Sequence, residues 1–127
     1  MSPEQHKAVV RRFVEEVRNR GNYDALHDLV VPERVADFRK QGEALRDAFA
    51  GYHVAIEDLI AEGDRVVLRA SQRGIHRGTF LGVPATGREV TWGVIRIFRF
   101  VDGRIAETWF ASEQQSLLQQ FGAGVSS

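Results

Sequence analysis

From Glu89 to Phe100 and again from Arg104 to Ser112 the chain runs through two long strand-like stretches joined by Asp102-Gly103. An Asp-Gly pair accepts the positive φ angles of a tight hairpin turn, so the two stretches are predicted to pair antiparallel. Gly63-Asp64 marks an earlier turn between a strand through His53 to Ile60 and one in which Val66, Leu68 and Ala70 alternate with Arg65, Arg69 and Arg73. One face of that meander is therefore apolar and must be covered by a second layer.

The N-terminal half supplies the cover. Ser2-Pro3-Glu4-Gln5 reads as a helix start, with Ser2 as N-cap, Pro3 at the first helical position and Gln5 placed for a capping box. Val9, Val10, Phe13, Val14 and Val17 then recur at helical spacing while Arg11, Arg12, Glu15 and Arg18 take the opposite face, up to Gly21. Asn22 is expected to cap a second short helix through Leu29, which Pro32 stops, and a third helix is expected over Gln41 to Ala50, ended by Gly51. Helices followed by an antiparallel meander predict an α+β domain with the helices on one face of the sheet. One domain is expected over 1–122, with 123–127 a loose C-terminal tail of small and polar residues.

With 127 residues, 43% of them hydrophobic, such a domain can bury a core without staples. The chain has no cysteine, which excludes disulfides, thiolate catalysis and cysteine-ligated metal sites and agrees with a cytoplasmic setting. Seventeen basic and seventeen acidic residues cancel and are scattered, so no nucleic-acid partner is expected. No apolar run reaches membrane-spanning length and the charged N-terminus lacks a signal-peptide core, so neither a membrane span nor secretion by that route is expected. His6, His27 and His53 show no metal-ligand spacing, and no metal is expected.

The stretches Gly74-Ile-His-Arg-Gly-Thr-Phe-Leu-Gly-Val-Pro-Ala-Thr-Gly87 and Arg99-Phe-Val-Asp-Gly-Arg-Ile-Ala-Glu-Thr-Trp109, with Ala8 to Val17 and Ile56 to Asp64 upstream, closely resemble the SnoaL-like polyketide cyclases of the nuclear transport factor two-like superfamily. The resemblance implies a cone-shaped curved antiparallel sheet with the N-terminal helices on its concave face, a cystatin-like α+β roll. Its open end admits a small hydrophobic ligand, the Arg77 to Arg88 loop lies near the mouth, and the outer sheet face serves a homodimer. It further implies cofactor-independent aldol-type cyclisation or isomerisation of a hydrophobic carbonyl compound. The superfamily also holds non-catalytic binding or dimerisation modules and enzymes of the epoxide hydrolase or ketosteroid isomerase kind, which require paired carboxylates. Relative to the family, the segment between Asp37 and Gln41 is short, so the lid side of the cone is expected to be open or closed by a dimer partner.

Candidate site residues follow. Alternation places Ile105, Glu107, Trp109, Ala111 and Glu113 on one face of the last strand, so Glu113 sits beside a tryptophan. In the resembling family an aspartate at this position is the catalytic or pocket acid; Glu113 is either its counterpart, with a pKa raised by an apolar wall, or a residue at the start of the helix from Gln114. His76 matches the family's motif histidine and either donates to a ligand or is a polar strand end. Arg96 interrupts the apolar run Val94 to Phe98 and either polarises a substrate oxygen or faces solvent. Asp37 is either a second pocket carboxylate or a loop residue. Trp92, Phe98, Trp109 and Phe80 are expected to shape the substrate pocket, as well as the core.

Overall fold

A computed structural model describes residues 1–122; the expected tail, 123–127, lies outside the described residues. Helix α1 (Pro3–Arg12) begins at the predicted capping box: the Ser2 side chain accepts from the Gln5 amide, and the Gln5 side chain accepts from the Ser2 amide. It does not continue as an α-helix. Over Phe13–Asn19 it widens into a π-helix, whose i→i+5 hydrogen bonds take more residues per turn. That wider turn brings Phe13, Val14, Val17 and Arg18 together onto the buried side, so Arg18 leaves the polar face on which an α-helical period places it.

The second helix is shorter than expected. Asn22 makes no side-chain cap; a 3₁₀ turn, Tyr23–Ala25, leads into the single turn α2 (Leu26–Leu29). A second 3₁₀ turn, Pro32–Arg34, opens onto α3 (Val35–Ala48), which starts well before Gln41. Gly42, a poor helix former, lies inside α3 because the Tyr23 ring packs there: a Cβ at Gly42 would stand 3.0 Å from Tyr23 Cε1. The third helix is thus a full 14 residues, and it covers the concave side where an opening was expected.

Four antiparallel strands, β1 (Phe49–Glu62), β2 (Arg65–His76), β3 (Glu89–Val101) and β4 (Arg104–Ser112), form a meander in the order β1-β2-β3-β4, and α4 (Gln114–Phe121) returns across β3. Gly51, at φ 64°, marks not a helix end but an irregularity in β1, where pairing with β2 shifts between Ala50 and His53. Asp102 and Gly103 both take positive φ, as the hairpin turn requires. The sheet curls around the helices, giving the α+β cone. Its concave face carries Val66, Leu68 and Ala70 of β2 and Val90, Trp92, Phe98 and Phe100 of β3, all buried. Phe13 stands edge-on between Phe38 and Phe98, and Phe49 is ringed by Tyr52, His76, Phe80, Trp92 and Phe121.

One irregularity decides which way β4 faces. Arg99 pairs with Glu107, yet Phe100 pairs with Ile105, so β4 holds one extra residue at that point. Because side chains alternate with period two, that residue reverses the phase: Ile105 is fully buried, while farther along Phe110 and Ser112 face the concave side and Trp109 and Glu113 the convex one. Outside the sheet, Val30 bridges to Ile105 in parallel; the Val31 amide donates to the Ile105 carbonyl and Arg34 Nε to the Ala106 carbonyl.

Candidate functional site

A cavity of about 280 Å³ lies between the concave face and the helices. Phe13, Val14, Leu45, Leu68, Trp92, Val94 and Leu117 form apolar walls, and Phe80, Leu81 and Phe110, all at least partly exposed, belong to its rim. Its polar side chains are Arg18, Gln41, Tyr52, Gln72, Arg96, Ser112 and Gln114. Among the described residues that line it there is no carboxylate and no histidine.

Two guanidinium groups dominate the polar part. Arg18 is 4% and Arg96 7% exposed, and one Nη of each donates to the same oxygen, Gln41 Oε1, at 2.7 and 2.9 Å. Arg18 lies over the Phe13 ring at 5.1 Å, and Arg96 near the rings of Phe110 and Phe98 at 4.8 and 5.8 Å, which offsets part of the cost of burying the charges. Neither takes part in any ion pair among the described residues, and the Nε–H of each is buried without an acceptor. Burial pushes Arg96 down to about 9, with Arg18 adding repulsion; burial also lowers Arg18, partly countered by Tyr52. Tyr52 donates to Gln72 Oε1 at 2.5 Å, and burial raises its pKa, which keeps the hydroxyl protonated. The site is a largely apolar pocket that holds two cations, a phenol and, among the described residues, no anion.

Of the sequence-derived candidates, Arg96, Trp92 and Phe80 line this cavity. Phe98 is fully buried under Phe13 and is core, not wall. His76 is also fully buried outside the cavity: its ring stacks on Phe121 at 3.9 Å, and its Nδ1 takes the Thr86 amide at 3.3 Å. The backbone of His76 pairs with Gly87 and Arg88, so this residue fastens the base of the Arg77 to Arg88 loop. Asp37 is exposed in the first turn of α3, 3.7 Å from Arg34. Trp109 is 45% exposed on the convex face, 5.4 Å from the Arg65 guanidinium carbon.

Glu113 also lies on the convex face, carried there by the extra residue in β4, and the expectation of an acid against the pocket wall is corrected. Nor does its side chain cap α4. Its Oε1 accepts from the Gly93 amide at 2.6 Å while its own amide donates to the Gly93 carbonyl at 2.9 Å, extending the β3–β4 ladder by one rung. Asp37 and Glu113 are both exposed and neither lines the cavity, so they form no paired-carboxylate site there. Glu113→Gln retains an acceptor for Gly93; it is expected to change stability by about 0.5 kcal/mol or less and to leave ligand affinity unchanged, by thermal melting and calorimetric titration.

Sequence reasoning missed Arg18, Gln41, Tyr52 and Gln72. Gln72 carried a signal, because it continues the alternation of Leu68 and Ala70. Arg18 and Gln41 carried none that a regular helical period would reveal, the first being turned inward by the π-helix and the second standing at the first position of a helix whose start was placed too late.

A SnoaL-like polyketide cyclase family model matches residues 8–121. No curated protein matches. Among solved structures, TsrD from Streptomyces laurentii is 26% identical over 97% of this chain and 98% of its own, with a TM-score of 0.91. AclR from Streptomyces galilaeus, proposed to be a hydroxylase, is 30% identical over 95% of this chain and 98% of its own at a TM-score of 0.83. IdmH from Streptomyces antibioticus, proposed to be a polyketide cyclase, is 26% identical over 93% and 99% at 0.76.

Proposed function

Because the chain belongs to the SnoaL-like polyketide cyclase family, we propose that its cavity binds a small hydrophobic carbonyl compound and promotes aldol-type cyclisation or isomerisation without a cofactor. The observation that carries this reading is the Arg96 guanidinium, buried in an otherwise apolar wall between Val94 and Phe98. Both reactions pass through an enolate: the α-proton passes to a water molecule, no described lining residue being a carboxylate or histidine, and negative charge grows on the former carbonyl oxygen. Donors already in place at that oxygen, in a largely apolar site, stabilise the enolate with little reorganisation. Arg96 takes that role and Arg18 assists it. Tyr52, kept protonated, would hand a proton to an alkoxide formed at the attacked carbonyl, giving up its hydrogen bond to Gln72.

Among the described residues no carboxylate or histidine lines the cavity to act as a base for the α-proton, which favours a second reading, a binding module without catalysis. The exposed Ile95 and Trp109 on the convex face support a homodimer through that face. Deuterium exchange separates catalyst from binder: 2-tetralone in D₂O, followed by proton NMR, reports enolisation directly. The enzyme reading expects exchange at the α-carbon to accelerate with protein and to saturate with ketone. Binding without acceleration leaves the module.

A further inference from the structure

Among the described residues the cavity's two cations have no counter-charge. Arg18 and Arg96 are each more than nine-tenths buried, share one neutral acceptor, Gln41 Oε1, and leave both Nε–H groups unpartnered. Buried charges are costly unless paired, and a protein that keeps two of them in a pocket leaves the pairing to what the pocket receives. The aromatic rings near the two guanidinium groups leave both Nε–H groups without an acceptor. The rest of the wall is apolar, which fits a hydrocarbon ring system.

We propose that the ligand of this cavity is an acid: a compact, largely apolar ring compound whose single carboxylate sits against Arg18 and Arg96, with the rings toward Trp92, Val94 and Phe80. A carboxylate is planar and offers two oxygens, which suits two guanidinium donors brought together by Gln41. This rests on the cavity being the substrate site and assigns the substrate's class: a free acid, as opposed to a neutral ketone or ester. In the reaction, the carboxylate anchors the molecule while the enolate oxygen forms next to the same positive field.

Three probes of one shape test the assignment: 2-naphthoate, 2-naphthamide and 2-acetylnaphthalene, titrated by calorimetry and by the fluorescence of Trp92 in a Trp109→Phe background. Naphthoate is expected to bind about 10–100-fold more tightly than either neutral probe, the range for losing a hydrogen bond to a charged group. Arg18→Met and Arg96→Met should each weaken naphthoate by about tenfold or more and weaken the neutral probes, which meet the same donors through a carbonyl oxygen alone, by a smaller factor. Acetylnaphthalene binding as tightly as naphthoate overturns the acid assignment and leaves the carbonyl-binding reading intact. Binding of none of the three overturns both. A preference for naphthoate that survives in the Arg18→Met, Arg96→Met double variant places the anion elsewhere and also overturns the proposal. Should the arginine variants fail to fold, the comparison of the three probes on the parent protein still decides it.

Discussion

Phe49→Ala is expected to cost about 3–5 kcal/mol, the range for a large aromatic removed from a packed interior. Phe49 is 1% exposed, and its ring meets Tyr52, His76, Phe80, Trp92 and Phe121 at centroid distances from 4.7 to 6.5 Å. These partners come from β1, β2, the loop after β2, β3 and α4, so no single element can move in to fill the void. Just behind it, a Cβ on Gly74 would stand 2.7 Å from Phe49 Cβ, which shows how closely β2 is seated there. For a domain of this size the loss corresponds to a fall in melting temperature of roughly 10–25 °C. A calorimetric scan showing a fall of only a few degrees would mean that the cluster repacks and is not the keystone of the fold.

Arg96→Met is expected to act in opposite directions on stability and on chemistry. Without ligand the variant should melt higher, because a hydrophobic side chain replaces a buried charge that has no ionic partner among the described residues; even whole buried ion pairs exchanged for hydrophobic residues have gained on the order of 1–4 kcal/mol. Acceleration of α-proton exchange in 2-tetralone should fall by about 10²–10³-fold, the usual loss on removing a preorganised donor to a developing oxyanion. A stabilised, inactive variant is the signature of a residue kept for function at a cost in folding. If Arg96→Met melts lower than the parent and exchanges at the same rate, Arg96 is a structural arginine and the enolate reading fails.

The regular parts of this fold were legible in the sequence, and two irregularities hid much of the site. The capping box at Ser2, the hairpin at Asp102-Gly103 and the apolar face of β2 follow from local chemistry and appear where that chemistry puts them. Alternation correctly places Trp109 and Glu113 on a common face. It does not show that the extra residue near Ala106 turns that face outward, since the pairing shift between Arg99 and Phe100 depends on β3 and not on the letters of β4. The same is true of Arg18. A strict helical period sets it among solvated charges, and only the π-helical turn over Phe13–Asn19 carries it to Arg96 and Gln41. Asp37 and Glu113 looked like chemistry because of their charge and motif; the cavity is instead lined by Arg18, Arg96 and Gln41, polar residues that a pattern reader assigns to the surface.

The small parallel bridge from Val30 to Ile105 bears on how this protein meets its own copies. β4 ends the sheet, and an uncovered terminal strand offers its amides and carbonyls to any extended chain, the route to open-ended fibres. Val31 and Arg34 occupy the carbonyls of Ile105 and Ala106, so the first part of that strand is already spoken for. Strand-by-strand growth is therefore blocked at one end by the same short turns that launch α3. The homodimer proposed through the convex face agrees with this, since a twofold pairing on the flat of the sheet closes on itself and stops.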